Sequence, residues 1–208
     1  MVVNRITSMG GRSGGGARSG GGGGGMSATE KRLAEKYLGE VKNPQLKKEL
    51  AAGLAAFDKE FGIPDNVSVT MRKLAGNVYG QISVHSGRIE INTLYENGGL
   101  PIGHAKHTMI HELAHSVDLS LQKSLQKKGG RWIVGVKPEN KGYAKTLQSA
   151  FKAFKSNYYS GGKAKSIGSY ALTNKNEFFA DAVANHLTGN KNQFTTFAYN
   201  FAKKMKSK

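Results

Sequence analysis

His111-Glu112-Leu113-Ala114-His115 lies in a run where Ile110, Leu113, Ala114, Val117 and Leu121 recur at helical spacing. Side chains four apart on a helix stand one above the other. His111 and His115 therefore share a face, and both imidazoles can reach one ion. The glutamate between them is placed to act on water activated there. His111, His115 and Asp118 fall on a stripe beside the apolar face, which suits a site half buried and half open. The same residues also suit two ordinary histidines on an amphipathic helix, so the rest of a site must come from elsewhere in the chain.

A hydrolytic zinc site takes three protein ligands and leaves one position open. The chain contains no cysteine, so the third ligand is His, Asp or Glu. Asp118 and Gln122 follow the motif, with no glycine or third histidine at the places a compact extended motif requires. The best candidate lies in the stretch from Ser169 to Asp181. Asn174 reads as a helix N-cap, with Glu177 three residues on as in a capping box. Phe178, Asp181, Val183, Ala184 and Leu187 continue at roughly helical period. Glu177 and Asp181 share a face, which suits a ligand glutamate followed one turn later by a carboxylate that orients a histidine. The spacing equally suits a capping residue and a surface acid. Tyr170 by itself reads as a loop tyrosine with a solvated hydroxyl.

Together, the segment from His111 to Asp118, Tyr170, and the run Asn176-Glu177-Phe178-Phe179-Ala180-Asp181 resemble the catalytic domain of the anthrax lethal factor family. These are gluzincin-type metallopeptidases found in toxins and phage-associated domains. The tyrosine stands seven residues before the glutamate, as that family places it. The resemblance covers about residues 67 to 208 and is carried by the two motif segments. It implies an α+β, zincin-like fold with a small mixed or antiparallel sheet, an active-site helix bearing the motif and a C-terminal helical part. It further implies one zinc ion per chain on His111, His115 and Glu177, with Glu112 as general base and Tyr170 as oxyanion stabiliser. Asp118 and Asp181 are candidates to orient the ligands. Zinc lowers the pKa of water it activates toward about 7, and Glu112 can take the proton and pass it to the leaving amine. The other histidines read differently. His107 falls in the exposed first turn, His104 in the loop entering the helix, His85 in a strand or turn, and His186 near a helix end.

Residues 1–26 contain the run Gly20 to Gly25 and Arg12-Ser13-Gly14-Gly15-Gly16, a low-complexity composition that forms no core and predicts a disordered arm. Residues 27–62 predict a helical segment: a capping box at Ser27-Glu30 opens a helix through about Val41, and Asn43-Pro44 opens a second that ends at Gly62. Residues 63–208 predict the catalytic domain. Val67, Val69 and Met71 alternate as in a strand, and Val78–Val84 and Arg88–Asn92 predict two more around a turn at His85-Ser86-Gly87. In zincin folds an edge strand in the region of Ile89–Asn92 pairs with extended substrate, though the sequence leaves open which strand is the edge. Trp132 to Val136 reads as strand or loop. Tyr143–Tyr158 and Gln193–Met205 predict helices.

Thirty-one Lys and Arg against fourteen Asp and Glu give a net charge of +17, which favours anionic partners. The lysines are spread over helix faces, and no zinc-finger spacing, P-loop or aromatic RNA-binding signature accompanies them. Non-specific attraction to nucleic acid or other polyanions follows from charge alone. No stretch reads as a classical signal peptide or membrane span, and the compartment stays open. Two functions fit: a zinc endopeptidase acting on protein or peptide, of toxin, effector or phage origin, or a basic nucleic-acid-binding or virion-structural protein on a zincin scaffold.

Overall fold

A computed structural model describes residues 5–9, 24–83, 86–122, 124–128, 131–135 and 141–206. His85 lies outside them, as does the side chain of Asp118.

Helix α1 (Ala28–Tyr37) opens on the expected capping box: the Ser27 N–H donates to Glu30 Oε2 at 2.7 Å, and the Glu30 N–H donates to Ser27 Oγ at 3.3 Å. It ends at Tyr37 rather than near Val41, because Gly39 follows and the chain turns. That turn lets Leu38 and Val41 both reach the core, and lets Glu40 accept from the Met71 N–H at 2.8 Å. Helix α2 (Pro44–Phe61) begins as expected, with Asn43 Oδ1 accepting from the Gln45 and Leu46 N–H groups and proline in the first turn. It stops at Gly62, whose φ of +67° few other residues adopt.

Four strands form a mixed sheet: β1 (Arg5–Met9), β2 (Ser68–Arg72), β3 (Val78–Ser83) and β4 (Arg88–Asn92). The order across the sheet is β1-β3-β4-β2. β3 is antiparallel to β1 and to β4, whereas β2 runs parallel to β4. The sequence left open which strand is an edge; β4 is an interior strand, hydrogen-bonded on both sides. Arg5–Met9, within the arm expected to have no regular structure, is a strand paired with β3.

On one face of the sheet, Ile82, Ile89 and Ile91 are fully buried. On the other, Glu90 is buried beneath Arg72 and Arg88, at 2.8 and 3.2 Å, and accepts from Gln81. Burying a carboxylate without such partners would be costly.

Helix α3 (Ala105–Gln122) follows a short 3-10 turn at Ile102–His104. It lies between α2 and the sheet, with Met109, Ile110, Leu113 and Ala114 in the core. The crossing with α2 is close: a Cβ at Gly53 would stand 2.8 Å from the Lys106 carbonyl oxygen and 2.9 Å from Met109 Cβ. A hairpin of β5 (Ser124–Lys128) and β6 (Arg131–Gly135) comes next. β6 falls where a strand or loop was expected, and β5 was not foreseen. Helices α4 (Lys141–Tyr159), α5 (Lys175–Leu187) and α6 (Gln193–Lys206) complete the α+β fold. Phe154 of α4 packs on Phe178 and Phe194, with ring centroids 4.7 and 5.7 Å apart. α1 and α2 share one core cluster with α3, α5 and α6. Among the described residues no helix is long and apolar enough to cross a membrane.

Gly53→Ala should lower stability. The added methyl must displace backbone of α3 at a cost of about 1–3 kcal/mol, which outweighs the gain of about 1 kcal/mol from replacing a helical glycine. A urea midpoint equal to or above that of the wild type would show that the α2–α3 crossing has room.

Candidate metal centre

The motif helix alone cannot close a site, and α5 supplies the remainder. Asn174 caps α5, its Oδ1 accepting from the Asn176 and Glu177 N–H groups at 2.9 and 3.0 Å. This fixes Glu177 in the first turn. Its carboxylate does not return to the cap as in a capping box; it reaches into α3. Glu177 Oε2 lies 3.1 Å from His111 Nε2 and 3.3 Å from His115 Nε2, and the two Nε2 atoms are 3.0 Å apart. All three residues are buried. A tetrahedral ion with bonds of about 2.0–2.1 Å would separate its ligand atoms by about 3.3–3.4 Å. The observed triangle is slightly tighter than that, so these residues could hold a metal ion with little movement.

The other nitrogen of His111 is engaged as well. Nδ1 donates to Asp181 Oδ1 at 2.8 Å, one turn after Glu177. That bond turns Nε2 toward Glu177 and His115, the orientation a metal ligand needs. Nδ1 of His115 is buried with no hydrogen-bond partner among the described residues. Asp118 follows one turn later on α3, and its side chain lies outside the described residues.

Electrostatics agree with the geometry. Burial disfavours charge on His111, but the Asp181 and Glu177 carboxylates outweigh it and hold the imidazole pKa well above its ordinary value. Burial also acts to raise the Glu177 pKa, yet hydrogen bonds from His111 and His115 bring it down to about 2. Two lone-pair-bearing nitrogens and a carboxylate oxygen packed this closely need a shared positive charge, supplied by a proton or by a metal ion.

Glu112 is buried between the histidines in sequence and lies under β3. A Cβ at Gly80 would stand 3.4 Å from Glu112 Oε1 and 2.9 Å from Thr108 Cγ2. Gly80 thus lets the strand pass directly over the motif glutamate. Tyr170, on a 3-10 turn at Tyr170–Leu172, is half-buried with its ring centroid 6.0 Å from that of His111.

His107 is not in an exposed turn. Protein surrounds its ring although the residue keeps some exposure, and Asn185 Nδ2 donates to its Nε2 at 3.3 Å. Burial pushes its pKa down to about 4. Asn185 is the residue that sequence reasoning missed. It also donates to the carbonyls of Asp181, at 2.9 Å, and Ile167. Its place was legible, since positions 177, 181 and 185 form one stripe at four-residue spacing. His104 packs edge-on to Tyr79, and His186 stacks on Tyr199; neither belongs to the metal-ligand cluster.

Residues 74–192 match the family model described as glucose-regulated metallo-peptidase M90, a span that includes β3, β4 and α3 through α5. The match covers more than half of the chain, which therefore belongs to that metallopeptidase family. No curated protein and no solved structure matches it.

In the metal-free chain, His107 gives stability a specific pH limb. Its pKa falls from 6.5 when unfolded to about 4 when folded. Over that window the unfolded state binds the extra proton, so the contribution is present above pH 6.5 and is lost as pH drops through about 4. His107→Gln should flatten the limb in thermal melts taken across it. An unchanged slope would mean that His107 is not held neutral.

Proposed function

We propose that the protein is a zinc-dependent endopeptidase acting on protein or peptide substrates. The observation that carries this is the convergence of His111 Nε2, His115 Nε2 and a Glu177 carboxylate oxygen, all within 4.8 Å of one another. In this reading His111, His115 and Glu177 would hold one zinc ion, which when bound would supply Lewis acidity for activating water and polarising the scissile carbonyl. Glu112 takes the proton from the attacking water and delivers it to the leaving amine. Glu112 is fully buried beneath β3, out of bulk solvent. The Tyr170 hydroxyl donates to the oxygen that gains negative charge in the tetrahedral intermediate. Asp181 orients His111 through Nδ1. Asp118, one turn beyond His115 and on the same stripe, would do the same for the second histidine.

The ligand order and the tyrosine seven residues before Glu177 support a gluzincin arrangement like that of the lethal factor family. A toxin, effector or phage-borne role rests on that resemblance alone. The net charge of +17 adds non-specific attraction to anionic partners, which competes with nothing in this mechanism.

The zinc-loaded chain should cleave members of a peptide library, and chelation should stop it. Glu112→Gln should keep the metal and lose turnover by about 10²–10⁴-fold, the usual worth of a positioned acid–base group. Cleavage at the wild-type rate in that variant would sink the assignment. Tyr170→Phe should lower turnover by about 10²–10³-fold with metal retained. Equal loss of metal and turnover would make the tyrosine structural.

A further inference from the structure

β3 is the strand that covers the motif glutamate, since a Cβ added at its Gly80 would stand 3.4 Å from Glu112 Oε1. One edge of β3 is taken by β4. The other is where an extended peptide could add as a further strand beside the site, through main-chain hydrogen bonds. In this chain that edge is paired with Arg5–Met9. β1 runs antiparallel to β3 from Arg5 opposite Ser83 to Met9 opposite Val78, and it lies against α3. Ser8 stands opposite Gly80, and the register shifts between Ser8 and Met9. Ser8 is thus the β1 residue opposite the glycine whose added Cβ would meet Glu112.

We infer that Arg5–Met9 is a resident ligand of the substrate edge, so that the chain blocks its own site in cis. This rests on the peptidase reading above. A peptide substrate and β1 need the same β3 hydrogen-bonding groups, and they cannot both have them. The sequence also suits a tethered ligand. Eleven glycines fill residues 10–25 between β1 and the body of the protein. A short linker of that composition raises the local concentration of its ligand to the order of mM. A five-residue strand that pairs weakly in trans is then populated in cis.

The test uses the full chain and the double variant I6P/T7P. Along an antiparallel strand, successive N–H groups point alternately toward and away from the partner. Two adjacent prolines therefore remove one ladder hydrogen bond whatever the phase. Hydrogen exchange needs neither metal nor substrate. In the variant, β3 amides that bond β1 should exchange severalfold faster, while those that bond β4 stay protected. In the zinc-loaded variant KM should fall severalfold with kcat unchanged, and a synthetic peptide of residues 3–10 added at about mM concentration should raise KM again. Unchanged β3 exchange and unchanged KM would overturn the proposal. So would loss of the fold in the variant, because β1 would then be a structural strand. Faster β3 exchange with no cleavage by either chain would leave the strand occupancy standing and remove the peptidase reading instead.

Discussion

The contact between α3 and α5 places a glutamate carboxylate between two histidines, away from water. Everything else in the site depends on making that contact tolerable. Desolvation alone would disfavour charge on His111 and Glu177. The opposed displacements, His111 upward and Glu177 down to about 2, show that attraction between them exceeds the burial penalty. The positive charge that the contact shares can come from a proton or from a metal ion. Asp181 extends the chain of contacts behind His111, and Asn185 ties the Asp181 carbonyl to His107 and Ile167.

Such a contact needs rigid walls. On one side of α3, Gly53 of α2 permits a close backbone crossing. On the other, Gly80 lets β3 lie flat over Glu112. Both glycines serve by lacking a side chain, and both set distances on which the site depends. Phe178 and Phe179 carry the buried face of α5, so the first turn that presents Glu177 is anchored by aromatic packing as well as by its Asn174 cap. The match to the M90 metallopeptidase family spans β3, α3 and α5. Its boundaries leave out β1, α1, α2, β2 and α6, which contribute none of the candidate ligands.

Much of this was legible in the residues because it is local. His111, Glu112 and His115 announce themselves by helical spacing. Asn43-Pro44 and Gly62 mark the ends of α2, and Asn174 marks the start of α5. The stripe of Glu177 and Asp181 pointed to a ligand and its orienting partner, although spacing could not separate that from a capping box. What the sequence withheld is tertiary. Whether β4 is an edge or a centre depends on where β2 and β1 dock, and no local pattern records it. His107 looked exposed because nothing near it in sequence reveals that Asn185 of α5 would meet it. Arg5–Met9 sits beside a glycine run that masks its five residues, and its partner strand begins nearly seventy residues later.

The central claim is that α5 supplies the third ligand of a metal centre on α3. It is tested most directly by measuring bound zinc by elemental analysis in the wild type and in Glu177→Ala, both supplied with zinc, dialysed and shown to be folded by circular dichroism. The account predicts about one zinc per wild-type chain and a large loss in the variant. Full occupancy in Glu177→Ala, or no metal in the folded wild type, would contradict it.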